Sequence, residues 1–315
     1  MNAFELKGVS KLFESGDLTT TVALADVTLA VPRRSITGLI GRNGSGKSTL
    51  LRHVTGLVLP TRGECVTLGT PTSRLGSGEL SRIGVVDQHA GFVDWMSAGQ
   101  LVRYVSSFYR SWDLTLEREL LDLLDVNERA RVGAMSPGSM QRLALVLATC
   151  HHPELLLLDE PLSDLDPSAR QTMIRLLLER FSSDDMTIVI SSHLLRDIEP
   201  VVSHIICLEG GRVVADDELD ALRERHAEWI VTSAAGQLPA SYAEPYVIAA
   251  QGDRHRSRLL VRDPEEHAAA FRLRYDVIIE SRPLNLEQLF PLLTGRGDHV
   301  GALHIPAAAQ SGDGR

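Results

Sequence analysis

Nowhere along its 315 residues does the chain carry an apolar run near the ~18–20 residues that a membrane span requires, so no spanning helix is expected. The opening stretch MNAFELKGVSKLFESG lacks the apolar core of a signal peptide, and export by that route is not expected either. Cysteine is scarce. Cys65, Cys150 and Cys207 lie far apart, match no metal-ligand spacing and make no even-numbered disulfide set, so buried thiols in a reducing compartment are expected. Positive charge is short too. The formal net charge is −9, which argues against nucleic acid as a partner, because holding a phosphate backbone needs clustered cations. Among the 32 basic residues, lysine occurs only as Lys7, Lys11 and Lys47. The excess of arginine reads as base-composition bias; the informative point is where the lysines stand.

What remains is ordinary for a globular protein: 43% hydrophobic and 23% charged residues, enough to bury a core. The length suggests one large domain or two of unequal size. Up to about residue 215, β-like and helix-like segments alternate, which points to an α/β layered fold. SITGLIG, SRIGVVDQ, LLLLDE and MTIVISSH are short apolar runs ending in polar residues, the pattern of parallel strands covered on both faces. In open sheets of this kind chemistry gathers at the carboxyl ends of the strands. QLVRYVSSFYRSW and LERELLDLLD have helical spacing and suggest a helical insertion over about 89–150. From 216 to 300 a third texture begins: a helix in DDELDALRERHAEW, a hairpin turning near Gly252-Asp253, a helix in PEEHAAAFRLR, a strand in YDVIIES and a helix in LNLEQLFPLLTG. This reads as a small α+β appendage, followed by a frayed tail at 301–315.

GRNGSGKS, Gly41–Ser48, fits G-x-x-x-x-G-K-[ST] between a strand and a helix. Gly41, Gly44 and Gly46 let the backbone wrap phosphates, and successive N–H groups and the helix N-terminus favour the anion. Lys47 would reach the β- and γ-phosphates of ATP and Ser48 would hold Mg2+; Asn43, Ser45 and Thr49 complete the candidate contacts. LLLLDE ends a strand in two carboxylates. Asp159 is placed to bind Mg2+, and Glu160 to orient or deprotonate the attacking water.

With these motifs the chain resembles the nucleotide-binding subunit of a bacterial ATP-binding cassette (ABC) transporter across about residues 4–215. The resemblance implies a P-loop NTPase of the ABC ATPase type occupying 1–215. It also implies roles for further residues. Gln88 matches the Q-loop glutamine that senses Mg2+ and the γ-phosphate, and His193 the switch histidine that contacts the γ-phosphate. MSPGSMQR occupies the signature position, where Ser136 and Gly138 would meet the γ-phosphate of a second subunit. LSDLDP matches the D-loop with Asp166 as its aspartate, and Phe13 is the candidate to stack on adenine. The implied machine is a head-to-tail dimer, homo- or heteromeric, closed by two ATPs. It would drive a separate transmembrane permease from the cytoplasmic face of the membrane.

Three departures stand out. The signature has Pro137 for glycine and Ser139 for glutamine; Ser136 can serve as a helix N-cap with Pro137 at the first helical position, where the missing donor is tolerated. Asp164 adds charge to the D-loop. The GFVDWM segment resembles an exporter-type branch, with Phe92, Val93 and Trp95 as candidate liners of a groove for the permease; ordinary packing of the helical insertion is the competing account. Export of a small molecule, peptide or antibiotic-like compound follows from that branch. An ABC-type ATPase acting on ribosomes or DNA is the alternative, opposed by the single cassette and the lack of sustained heptads. A weakly active regulatory half of a heterodimer is another, opposed by the intact Lys47, Asp159, Glu160 and His193.

Overall fold

The computed structural model describes residues 1–14, 20–88, 91–181, 186–234 and 236–295. Contacts divide the chain into two units, Met1–Leu219 and Asp220–Arg315. The first runs through β1 (Asn2–Glu14), β2 (Thr20–Pro32), β3 (Ile36–Gly41), α1 (Lys47–Val54), β4 (Arg62–Thr67), β5 (Thr70–Pro71), α2 (Ser77–Leu80) and β6 (Ile83–Val86). It continues with α3 (Ala98–Ser106), α4 (Leu114–Leu123), α5 (Pro137–Thr149), β7 (Leu155–Asp159), α6 (Pro167–Leu176), β8 (Thr187–Ser192), α7 (Leu195–Ile198), β9 (His204–Glu209) and β10 (Arg212–Glu218).

Two sheets frame this unit. One is six-stranded, in the order β10-β9-β3-β8-β7-β6, with every neighbour pair parallel except the β10 edge. Every residue of β7 and β8 is buried, as expected for strands with helices on both faces. The other sheet, β2-β1-β4-β5, is antiparallel and was not anticipated from the apolar runs. Between the two lies α1, whose Leu50, Leu51 and Val54 share one core with Phe4, Leu24 and Val27 of the antiparallel sheet and Leu39, Leu157 and Val189 of the parallel one. The helix after the glycine-rich loop is thereby clamped along its apolar face, which fixes where its N-terminus points.

Between β6 and β7 the described chain forms helices. Ser97 and Gln100 cap α3 reciprocally, Asp113 caps α4, and both helices pack on α5. The first unit extends a few residues past 215. β10 continues to Glu218, which stands opposite His204 in the antiparallel ladder. Asp216–Glu218, expected to begin a helix, therefore ends a strand, and strand pairing overrides the helix propensity of this acidic stretch.

At the boundary α8 (Leu219–Glu224) is short, and β11 (His226–Ser233) follows at once, so His226–Trp229 are strand and not helix as expected. The second unit then adds β12 (Val247–Gly252), β13 (Arg256–Arg262), α9 (Pro264–Tyr275), β14 (Val277–Pro283) and α10 (Leu286–Leu293). Its antiparallel sheet has the order β12-β13-β11-β14. The hairpin turn is held by Asp253, whose Oδ1 accepts from the His255 and Arg256 N–H groups at 2.7 and 2.9 Å. The core centres on Trp229, which lies edge-on to Phe271 at 5.3 Å, with Val231, Leu259, Val261 and Ile279 around it. The tail expected at 301–315 lies outside the described residues. Among the described residues no helix is long and apolar enough to cross a membrane.

Candidate active site

Strand register assembles the site. Leu39 of β3 stands beside Ser191 of β8, and Ser191 beside Asp159 of β7, so three neighbouring strands end at one level. The chain leaves each of them at the carboxyl edge: the loop from Gly41, Glu160 and His193.

The loop from Gly41 to Lys47 is shaped by close approach. A Cβ on Gly46, where φ is +108°, would lie 2.6 Å from the Ala23 carbonyl oxygen, so no other residue type fits without displacing β2. Gly46 is also the N-cap of α1 and has no side chain to satisfy the helix's first N–H groups, which leaves them free to face an anion. Ser45 Oγ is buried and has no hydrogen-bond partner among the described residues. Asn43 and Gly44 are exposed at the crest of the loop, and Ser48 and Thr49 are half-buried in the first turn of α1. The Lys47 side chain is buried. Its Nζ donates to Gly41 O at 2.8 Å and Arg42 O at 3.4 Å, and lies 3.2 Å from Glu160 Oε1.

Glu160 is the centre of the cluster. Its other carboxylate oxygen accepts from His193 Nδ1–H at 2.7 Å and from the His193 backbone N–H at 3.3 Å. The imidazole is thus oriented by its Nδ1 side and leaves Nε2 for another partner. Glu160 has φ +49°, unusual for a residue with a long side chain and worth about 1–3 kcal/mol of strain. Its peptide is held at both ends. The N–H bonds Ser191 Oγ at 2.9 Å, and the carbonyl accepts from Gln141 Nε2 and Ser163 Oγ, both at 3.0 Å. Ser191 in turn donates to Asp159 Oδ1 at 2.5 Å, linking the two carboxylate residues. Ser191, Gln141 and Ser163 were not anticipated from the sequence. The doubled serine of ISSH at a strand end was the one available signal.

The remaining sequence candidates make no hydrogen bond to this cluster among the described residues. Gln88 is exposed two residues past β6 and makes no hydrogen bond with another described residue; its neighbour Asp87 pairs with Arg52 at 3.4 Å. Phe13 stands opposite Thr21, two residues from the Ala23 carbonyl that abuts Gly46; the ring is 43% exposed, with Lys11 Nζ 5.0 Å from its centre. Ser136 caps α5 by accepting from the Ser139 N–H at 3.2 Å, with Pro137 as the first helical residue. Asp166 caps α6 through the Ser168 and Ala169 N–H groups at 2.9 and 3.0 Å, and these bonds hold its carboxyl below the usual range. Neither Ser136 nor Asp166 is hydrogen-bonded to Lys47, Glu160 or His193. Gly138 packs against the Asp164 carbonyl. Trp95 is 70% exposed, while Phe92 and Val93 are half-buried.

Ser48 and Asp159 offer hard oxygen donors at the end of the sheet, which suits Mg2+. Among the described residues no group of three or more His, Cys, Asp or Glu side chains forms a closed cage, and Mg2+ is usually held by few side chains together with phosphate oxygens.

A family model described as ABC transporter matches residues 24–163. The Nod factor export ATP-binding protein I of Bradyrhizobium diazoefficiens is 30% identical over 93% of this chain and 97% of its own length. The chain belongs to the ABC-transporter family. It is an ATP-binding subunit of that family, an ATPase that powers a membrane transporter. The ABC transporter ATP-binding protein YtrB of Bacillus subtilis is 28% identical over 91% of this chain and 96% of its own. Among solved structures, the ATP-binding cassette MJ0796 in a dimeric post-hydrolysis state with ADP and Pi is 26% identical, with a TM-score of 0.59 over 69% of this chain and 98% of that one. The α/β architecture of the first unit is thus that of an ABC ATPase.

Proposed function

We propose that this ABC subunit hydrolyses ATP·Mg2+ at the carboxyl end of its parallel sheet, with Glu160 acting on the attacking water, and that it drives export. The contact of one buried carboxylate with both Lys47 and His193 carries the catalytic reading. In this account the N–H groups of the glycine-rich loop and Lys47 hold the phosphates. Ser48, Asp159 and Gln88 hold Mg2+, which when bound neutralises charge on the β- and γ-phosphates. His193 contacts the γ-phosphate and keeps Glu160 turned towards it. Glu160 orients the water and takes its proton, a contribution of about 10²–10⁴-fold. Phe13 stacks on adenine. Ser136, Gly138 and Asp166 act on the ATP of a second ATPase subunit.

Export is favoured because the Nod factor export relatives of B. diazoefficiens and Rhizobium etli match 93–94% of this chain at 30% identity, through both units. The methionine and phosphonates import proteins match 67–76% of it. The cargo class we assign is a small molecule, peptide or antibiotic-like compound handled by a separate permease. The subunit works at the cytoplasmic face of the membrane, where the helical segment at about 89–150, with Trp95 exposed, meets the permease. The second unit, described from Asp220 to Gly295, is the appended domain of the exporter branch.

Turnover of ATP by the purified chain tests the catalytic assignment. Glu160→Gln should lower kcat by about 10²-fold or more while ATP binding is retained. Unchanged turnover would overturn the role of Glu160. Affinity purification from membranes should recover a multi-span protein; recovery of ribosomes or DNA instead would overturn the transport reading.

A further inference from the structure

The signature segment and the catalytic glutamate of one chain are joined directly. Gln141 stands on α5, one turn beyond Ser136 and Gly138. Its side chain is 6% exposed, and its Nε2 donates to the carbonyl oxygen of Glu160 at 3.0 Å. The same helix approaches the same loop a second time. A Cβ on Gly138 would lie 2.6 Å from the Asp164 carbonyl oxygen, so the first turn of α5 is seated on the segment that runs from Glu160 towards Asp166. Glu160 sits in that segment at φ +49°, a conformation its own side chain does not favour, so its surroundings must hold it there. Its N–H is fixed from β8 by Ser191, and its carbonyl by Ser163 from within the loop.

We propose that Gln141 is a positioning residue that transmits the state of the signature helix to Glu160 of the same chain, so that a partner's ATP docking at Ser136 and Gly138 sets the aim of the carboxylate across the sheet. This rests on the ATPase reading above and adds a direction of coupling to it: from the site where the chain serves its partner to the site where it hydrolyses its own ATP. Gln141 suits the task because its loss does not orphan the acceptor. The Glu160 carbonyl keeps Ser163 Oγ at 3.0 Å and the Ser163 N–H at 3.2 Å. Removing the amide therefore disconnects α5 from the glutamate without leaving a buried carbonyl unpaired.

The test is Gln141→Met in the full chain, an unbranched replacement of similar length that keeps the packing and removes the donor. Four quantities are measured: melting temperature, KM for ATP, kcat, and ATP-driven dimerisation of Gln141→Met placed in the Glu160→Gln background. We expect a folded protein with KM within about 2-fold of wild type, intact dimerisation and kcat lowered at least about 10-fold. A kcat within about 2-fold of wild type overturns the proposal. So does a loss of dimerisation that matches the loss of turnover, because Gln141 would then support the signature helix itself. Should Gln141→Met fail to fold, Gln141→Leu, which also removes the donor, is read by the same four measurements and the same criteria. Absence of hydrolysis by the wild-type chain would strike the ATPase reading instead, and is distinguishable from either outcome.

Discussion

Ser191→Ala removes one oxygen atom from the middle of the site. Ser191 is fully buried, and its hydroxyl makes two bonds: it donates to Asp159 Oδ1 at 2.5 Å and accepts the Glu160 N–H at 2.9 Å. The second is partly insured, because the Glu160 N–H also reaches the Ser191 carbonyl at 3.2 Å. The first has no such backup on that oxygen. Asp159 is 4% exposed, and a hydrogen bond to a buried charged group is worth about 1.5–3 kcal/mol. Loss of about 2 kcal/mol, at roughly 2–4 °C per kcal/mol for a domain of this size, corresponds to a fall in Tm of about 4–8 °C. Circular dichroism melts of the nucleotide-free chain at pH 7 read it. Ser191→Cys, with a weaker donor of similar shape, should fall between the two. A Ser191→Ala Tm within about 1 °C of wild type would refute the reasoning, since the Asp159 bond would then carry no stabilising weight.

Gly138→Ala should destabilise the chain by about 1–3 kcal/mol, because the new Cβ meets a backbone oxygen at 2.6 Å and α5 or the loop at Asp164 must shift; urea unfolding measures it. His151 is 4% exposed and stacked on Tyr109 at 4.1 Å, and burial pushes its pKa down to about 4. The unfolded chain takes up the proton below about pH 6.5 and the folded one only near pH 4, so stability falls as pH drops through that window, by about 3 kcal/mol in all. His151→Phe, which keeps the stacked ring, should flatten this acid limb in melts recorded from pH 7.5 to 5. In the second unit, Trp229→Ala should cost about 3–5 kcal/mol, read by urea unfolding followed by circular dichroism, because a fully buried ring packed on Phe271 is removed.

The strands of the parallel sheet were legible because each is an apolar run too short for a helix and ends in polar residues; Asp159, Glu160 and His193 stand at those ends, and Lys47 opens the helix that follows β3. The antiparallel sheet was less legible. β1 and β2 are long, irregularly paired strands with register shifts, and their partners are set by tertiary contact. DDELDALRERHAEW looks helical by composition, yet its first residues pair with β9 and its last enter a new sheet. Ser191 and Gln141 carried almost no signal. A serine in an apolar strand and a glutamine in a helix look like many others until the fold brings them to the peptide of Glu160. For Ser136 local chemistry sufficed: a serine before a proline caps the helix as that pair suggests.

The account requires that one copy of the chain complete the site of another, since Ser136 and Gly138 make no hydrogen bond with Lys47, Glu160 or His193 of their own chain. The mass of the Glu160→Gln protein in solution, by light scattering with saturating ATP and Mg2+ and again with ADP, tests this most directly. We predict twice the monomer mass with ATP and the monomer mass with ADP. A monomer under both conditions would contradict the account.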